Sequence, residues 1–140
     1  MPVYNAEPFL DDAILSVMEQ SFGDWELICV NDGSTDGSLS KLEAYASKDP
    51  RIRVFSKPNG GALNARNYGV RQACSKWLYR MDADDLLSPD LLEEMIRTAK
   101  NKMPTTSFRN KCTGGPTNPK KPIISIGSTV FSKSCRVVKH

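Results

Sequence analysis

Three carboxylates fall within four positions at Asp82-Ala83-Asp84-Asp85. Crowded carboxylates repel one another and raise each other's pKa unless a cation or a ligand hydroxyl intervenes. A divalent cation removes that repulsion, and Mg2+ or Mn2+ favours one or two carboxylates together with phosphate oxygens. The chemistry such a cluster supports is the holding of a diphosphate, with the cation acting as a Lewis acid on diphosphate as it departs. The competing reading is a solvated acidic turn leading into the helix that Ser88-Pro89 opens. Short acidic patterns are common, and the cluster alone does not decide between the two.

A second candidate is the loop Asn31-Asp32-Gly33-Ser34-Thr35-Asp36-Gly37, rich in turn formers and backbone donors. Asp32 is placed to accept hydrogen bonds from a base or a ribose, and the glycines let a ligand approach the backbone. The same stretch admits a calcium reading. Asp32, Ser34, Asp36, Gly37 and Glu43 match ligand and turn positions of an EF-hand loop, with Leu39 at the usual apolar site. An EF-hand needs a helix before its loop, however, and Leu27-Ile28-Cys29-Val30 reads as a strand.

The elements that must position these residues follow from periodicity. Phe9, Leu10, Ala13, Ile14, Val17 and Met18 recur at helical spacing and predict a helix over 7–20. Glu26 to Asn31 is a short apolar run that predicts a buried strand. Ser38 is a cap for a second helix with Leu39, Leu42, Tyr45 and Ala46 on one face. Ile52 to Phe55 predicts a strand, Lys57 to Gly61 a loop, and Ala62 to Cys74 a third helix. Trp77 to Met81 predicts another strand, ending at the acidic cluster. Ser88 as cap and Pro89 at the first helical position open a fourth helix, with Leu92, Met95, Ile96 and Ala99 on its apolar face. Strands alternating with helices predict an α/β fold with a largely parallel sheet. Such sheets bind ligands beyond the carboxyl ends of their strands, where Asp32 and Asp82 both lie.

Composition sets the outer limits. Hydrophobic content of 39% and charged content of 25% fit an ordinary globular domain. A net charge of +3 is too small to argue for nucleic acid. The basic excess lies in residues 100–140, which contain no Asp or Glu. Cys29, Cys74, Cys112 and Cys135 match no zinc spacing, and His140 is the only histidine. Cys29 and Cys74 read as small core residues, and Trp25 and Trp77 as core aromatics rather than donor-stacking residues. With no membrane-length apolar run and no secretory pattern, the expectation is a cytoplasmic protein. Beyond Lys102, prolines and glycines crowd into a polar basic stretch. Residues 103–140 are expected to be a disordered tail, with Ile123 to Phe131 as one isolated strand.

Five segments in order carry a resemblance: Pro2-Val3-Tyr4-Asn5, Ser16 to Phe22, Glu26 to Gly37, Asn59-Gly60-Gly61 through Ala65-Arg66-Asn67-Tyr68-Gly69, and Met81 to Leu87. Together they closely resemble the family 2 glycosyltransferases over about residues 2 to 100, and so imply a Rossmann-like GT-A nucleotide-diphospho-sugar transferase fold. The resemblance implies a nucleotide-sugar donor, usually a uridine diphosphate sugar, and transfer with inversion at the anomeric carbon. It implies Val3 and Tyr4 beside the base, Asp32 on the base and Arg66 near the nucleotide. Asp82-Ala83-Asp84 matches the DxD motif, with Asp82 facing ribose or metal and Asp84 ligating Mn2+ or Mg2+. The paired aspartates align in two ways, so Asp85 is a second metal candidate. The acceptor implied is a growing polysaccharide, commonly membrane-associated, at the inner face of the membrane.

The chain departs from that pattern in three places. Arg80 stands where a bulky apolar residue is common. The apolar strand that precedes Pro-Val-Tyr-Asn in the family is expected to be missing, although it belongs in the middle of the sheet. The acceptor half, with the carboxylate that acts as general base, is also expected to be missing, leaving no catalytic residue to name. Residues 1–102 are therefore expected to be the nucleotide-sugar-binding portion of an incomplete domain, a fragment. A non-catalytic nucleotide-binding remnant is the other outcome.

Overall fold

The computed structural model describes residues 1–75, 77–102 and 138–139. Its elements run β1 (Pro2–Val3), α1 (Leu10–Met18), β2 (Leu27–Asn31), α2 (Ser38–Lys48), β3 (Ile52–Ser56), α3 (Ala62–Gln72), β4 (Asp85–Leu86), α4 (Leu91–Lys102) and β5 (Val138–Lys139). Three strands form a parallel sheet in the order β1-β2-β3. Pro2 lies opposite Val30, and Leu27 opposite Ile52. A separate antiparallel pair joins β4 to β5, with Asp85 opposite Lys139. The rest of the tail expected to be disordered, including Ile123 to Phe131, lies outside the described residues.

Every residue of β2 is buried, which is why its five positions read as a continuous run rather than an alternation. Leu27 and Cys29 face a core built with Leu10, Ile14 and Val17 of α1, Leu42 of α2, and Leu91, Leu92 and Ile96 of α4. Ile28 and Val30 face the other way, onto Ala65 of α3 and Ala73 just past its end. The sheet thus carries helices on both faces. α3 approaches closely because Gly69 has no side chain: a Cβ there would stand 3.3 Å from Val30 Cγ2. The Cys29 thiol is pushed up to about 11 by burial, as an inert core thiol should be.

The first strand of the sheet is present only as the two residues Pro2–Val3. They pair with β2, and the amine of Met1 donates to Ile28 O at 2.8 Å. Burial lowers the pKa of that amine. The expected strand at Trp77 to Met81 is corrected: only Leu78 makes an isolated bridge there. The reason is visible beside it. A cavity of about 100 Å3, lined by Met1, Leu27, Ile28, Leu78 and Met81 among others, separates this segment from the amino-terminal half of β2. β1 is only two residues long, and among the described strands none makes a ladder with 77–81.

The acidic cluster is anchored from α1 instead. Buried Gln20 donates to Ser16 O and Ser88 O and accepts from the Leu92 N–H. Ser16 Oγ accepts from the Leu87 N–H at 3.2 Å. The polar residues after the α1 apolar stripe therefore fix the chain immediately following Asp85. They also satisfy an N–H in the first turn of α4, which begins at Leu91 rather than Pro89.

Candidate functional site

Beyond the carboxyl end of β2, an open cleft of about 570 Å3 lies between two arms of the chain. One arm is Pro2 to Ala6 with Asp32. The other is Ala62 and Arg66 of α3 with Asp82, Ala83 and Asp84. Its size suits a ligand larger than a single sugar ring. Val3, Tyr4, Asp32, Arg66, Asp82 and Asp84, six residues singled out from the sequence, all line it. Asp85 is held differently: its carboxylate accepts the N–H of Asp82 at 2.9 Å and so shapes the turn.

Asp82 and Asp84 both line the cleft from a turn at 82–85, closed by the Asp85 N–H donating to Asp82 O at 3.3 Å. Ala83 between them is buried, while Asp84 is exposed and Asp82 half-buried. Arg66 reaches across from α3 and pairs with Asp82 at 2.7 Å. Both partners are open to solvent, so the pair is worth little on its own and leaves the guanidinium free to turn to a phosphate. Among the described residues, no group of three or more His, Cys, Asp or Glu side chains converges on one point. A cation here would take one or two carboxylates and draw its other ligands from a diphosphate and water, which is how Mg2+ and Mn2+ are commonly held.

Asp32 is 2% exposed and follows directly on β2, with its N–H donating to Val3 O at 2.8 Å. Its Oδ1 accepts from Lys57 Nζ and from the Gly60 N–H. Burial pushes the Asp32 carboxyl up. The Lys57 ammonium and the N–H groups of Gly60 and Gly61 outweigh it and hold the carboxyl below the usual aspartate value. The 57–61 loop closes on Asp32 because Gly33 lets it in: at φ +74, a Cβ on Gly33 would stand 2.8 Å from the backbone N of Asn59. Gly61 takes φ +85 and ψ 156, a conformation nearly confined to glycine, to turn into α3.

The Pro-Val-Tyr-Asn segment clamps the β2–α2 loop. Asn5 sits at φ 47, a left-handed position that asparagine tolerates. From there Asn5 Oδ1 accepts the Thr35 N–H at 2.8 Å, and the Asn5 N–H donates to Ser34 Oγ. Glu7 accepts the Gly37 N–H, and Ser38 Oγ accepts the Ala6 N–H. Tyr4 and Phe9, about half exposed, stand at the cleft as flat apolar surfaces.

This arrangement corrects the calcium reading of Asp32 to Glu43. Asp32 is committed to Lys57, and Asp36 accepts the N–H groups of Glu7 and Ser38. From Ser38 the chain is helical, which leaves Glu43 exposed on α2. The sequence reading missed Lys57, Asn5 and Phe9. Lys57 sits in no chemical motif, and only its position before Pro-Asn-Gly-Gly marks it.

Comparison with known proteins agrees with this geometry. Residues 1–136 match the family model described as glycosyl transferase family 2. The glycosyltransferase EpsJ of Bacillus subtilis is 39% identical over 71% of this chain and 29% of its own length. The chondroitin synthase of Pasteurella multocida is 37% identical over 69% of this chain and 10% of its own length. The chain therefore spans well under half the length of these curated relatives. Among solved structures, TarS of S. aureus in complex with UDP-GlcNAc superposes with a TM-score of 0.67 at 28% identity, over 71% of this chain and 30% of TarS. The expected GT-A-type α/β architecture is thereby borne out.

Proposed function

We propose, from the premise that this chain belongs to glycosyl transferase family 2, that its cleft binds the nucleoside diphosphate of a sugar donor together with a divalent cation. The observation that carries this reading is the cleft itself. It brings a buried acceptor, Asp32, into one lining with Arg66, the half-exposed Asp82 and the exposed Asp84. A nucleotide sugar has the matching groups, a base and a diphosphate.

In this assignment Asp32 accepts an N–H of the base, and Val3 and Tyr4 flank it. Asp82 faces the ribose or the cation, and Arg66 exchanges its pairing with Asp82 for a diphosphate oxygen. Asp84 is the principal cation ligand. Asp85 acts through the Asp82 N–H, since its carboxylate is already engaged there. Mn2+ or Mg2+, when bound, would stabilise charge on the departing diphosphate. The donor we assign is a UDP-sugar, supported by the UDP-GlcNAc bound in TarS.

The full reaction we assign is inverting transfer to an acceptor such as a growing polysaccharide, in line with relatives named for chondroitin and hyaluronan synthesis. A cytoplasmic site at the inner face of a membrane is part of the same proposal. No described helix is long and apolar enough to cross a membrane.

Thermal melting tests the assignment. UDP-GlcNAc with Mn2+ is expected to raise Tm, as any ligand confined to the folded state does, by about RT ln(1 + [L]/Kd) in free energy. Mn2+ alone or UDP-GlcNAc with EDTA should raise it far less. Equal shifts with and without the cation would count against a metal–diphosphate site.

A further inference from the structure

The Lys57–Asp32 pair is among the most buried ion pairs described, with side chains 15% and 2% exposed. A pair so placed stabilises little by itself, because desolvation offsets most of its attraction. Its geometry has a different consequence. Lys57 Nζ and the Gly60 N–H both fall on Oδ1 of Asp32. Lys57 is itself held by donating to Pro58 O at 2.6 Å. A Cβ on Gly60 would lie 3.0 Å from Nζ, so the loop is wrapped tightly around the ammonium. One carboxylate oxygen is thus committed to the protein from two directions, and the Gly61 N–H adds to the hold on the group, which fixes its rotation.

We infer that Lys57 is a positioning residue for base recognition, holding the Asp32 carboxylate in the orientation from which it accepts the imide N–H of a uracil ring. This rests on the donor-site reading above. The other charged groups lining the cleft are Arg66, Asp82 and Asp84; Lys57 is the cation in contact with Asp32. An ionised carboxylate can only accept, so it rewards an N–H and penalises a methyl group in its place.

A ligand–mutant cycle separates positioning from plain structural support. UDP and N3-methyl-UDP are titrated, with Mn2+ present, into the wild-type chain, Lys57→Met and Lys57→Gln, each checked for folding by circular dichroism. The wild type is expected to prefer UDP by about ten- to a hundredfold, the range for a hydrogen bond to a charged group. Lys57→Met should bind UDP more weakly and lose most of that preference, and Lys57→Gln should fall between. A folded variant that weakens both nucleotides by one factor, keeping the full preference, overturns the inference. So does Lys57→Gln with wild-type preference, should Lys57→Met fail to fold. A wild-type chain that binds neither nucleotide instead removes the donor-site reading on which the inference stands.

Discussion

Asp84→Ala is expected to weaken cation-dependent UDP binding by about a hundredfold or more, with little change in Tm. Residues that merely orient a metal ligand cost about 10–100-fold in metal affinity when removed, and Asp84 is assigned as the ligand itself. Its side chain is exposed and makes no contact on which the core relies. Surface substitutions of that kind shift stability by about 0.5 kcal/mol or less. Removing one of three neighbouring carboxylates also relieves repulsion in the free chain. Calorimetric titration of UDP into both chains, at fixed Mn2+, measures the difference. An Asp84→Ala chain with wild-type affinity would move the metal site to Asp82 and Asp85. Asp85→Ala then becomes the informative variant: it should disturb binding only through the lost Asp82 N–H acceptor.

The second large effect is expected in the backbone around Asp32. Gly33 and Gly61 both have positive φ, but they differ in what a side chain would meet. A Cβ on Gly61 enters open space, whereas on Gly33 it would stand 2.8 Å from the Asn59 backbone. Gly61→Ala should therefore cost only the conformational strain, about 1–3 kcal/mol. Gly33→Ala should cost its own left-handed strain, about 1–2 kcal/mol, and in addition push the 57–61 loop away from Asp32. Loop displacement removes the Gly60 N–H and loosens Lys57, so UDP affinity should fall as well as stability. Denaturant melts and UDP titrations of the two variants side by side check this. Equal losses in both would mean that the loop does not depend on its approach to Gly33.

Most of this arrangement was readable in the residues. α1, β2, α2, β3 and α3 declare themselves because their apolar stripes and runs match the faces that are buried, although Ser38, expected as a cap, is the first residue of α2 and its hydroxyl accepts the Ala6 N–H. The acidic turn was readable as a candidate because three carboxylates fall within four positions, and the fold buries Ala83 while leaving Asp82 and Asp84 accessible. Three features were not readable, and each depends on partners remote in sequence. The segment 77–81 has strand composition, but a strand needs a neighbour, and the first strand of the described sheet is only Pro2–Val3. The Asp85 carboxylate accepts the Asp82 N–H, a bond that belongs to the folded turn and not to the residue pattern. Lys57 looked like loop because its partner Asp32 lies 25 residues away. The calcium reading of Asp32 to Glu43 failed for the same reason. Its spacing was right, but Lys57, Glu7 and the helix at Ser38 take up the groups that a cation would have needed.

The central claim is that Asp32 and the Asp82–Asp84 turn form two parts of one metal-dependent nucleotide site. Calorimetric titration of UDP into the chain, once with Mn2+ and once with EDTA, tests it most directly. The account predicts saturable binding near one site per chain with Mn2+, weakened at least tenfold by EDTA. A chain shown to be folded that binds UDP under neither condition would contradict it.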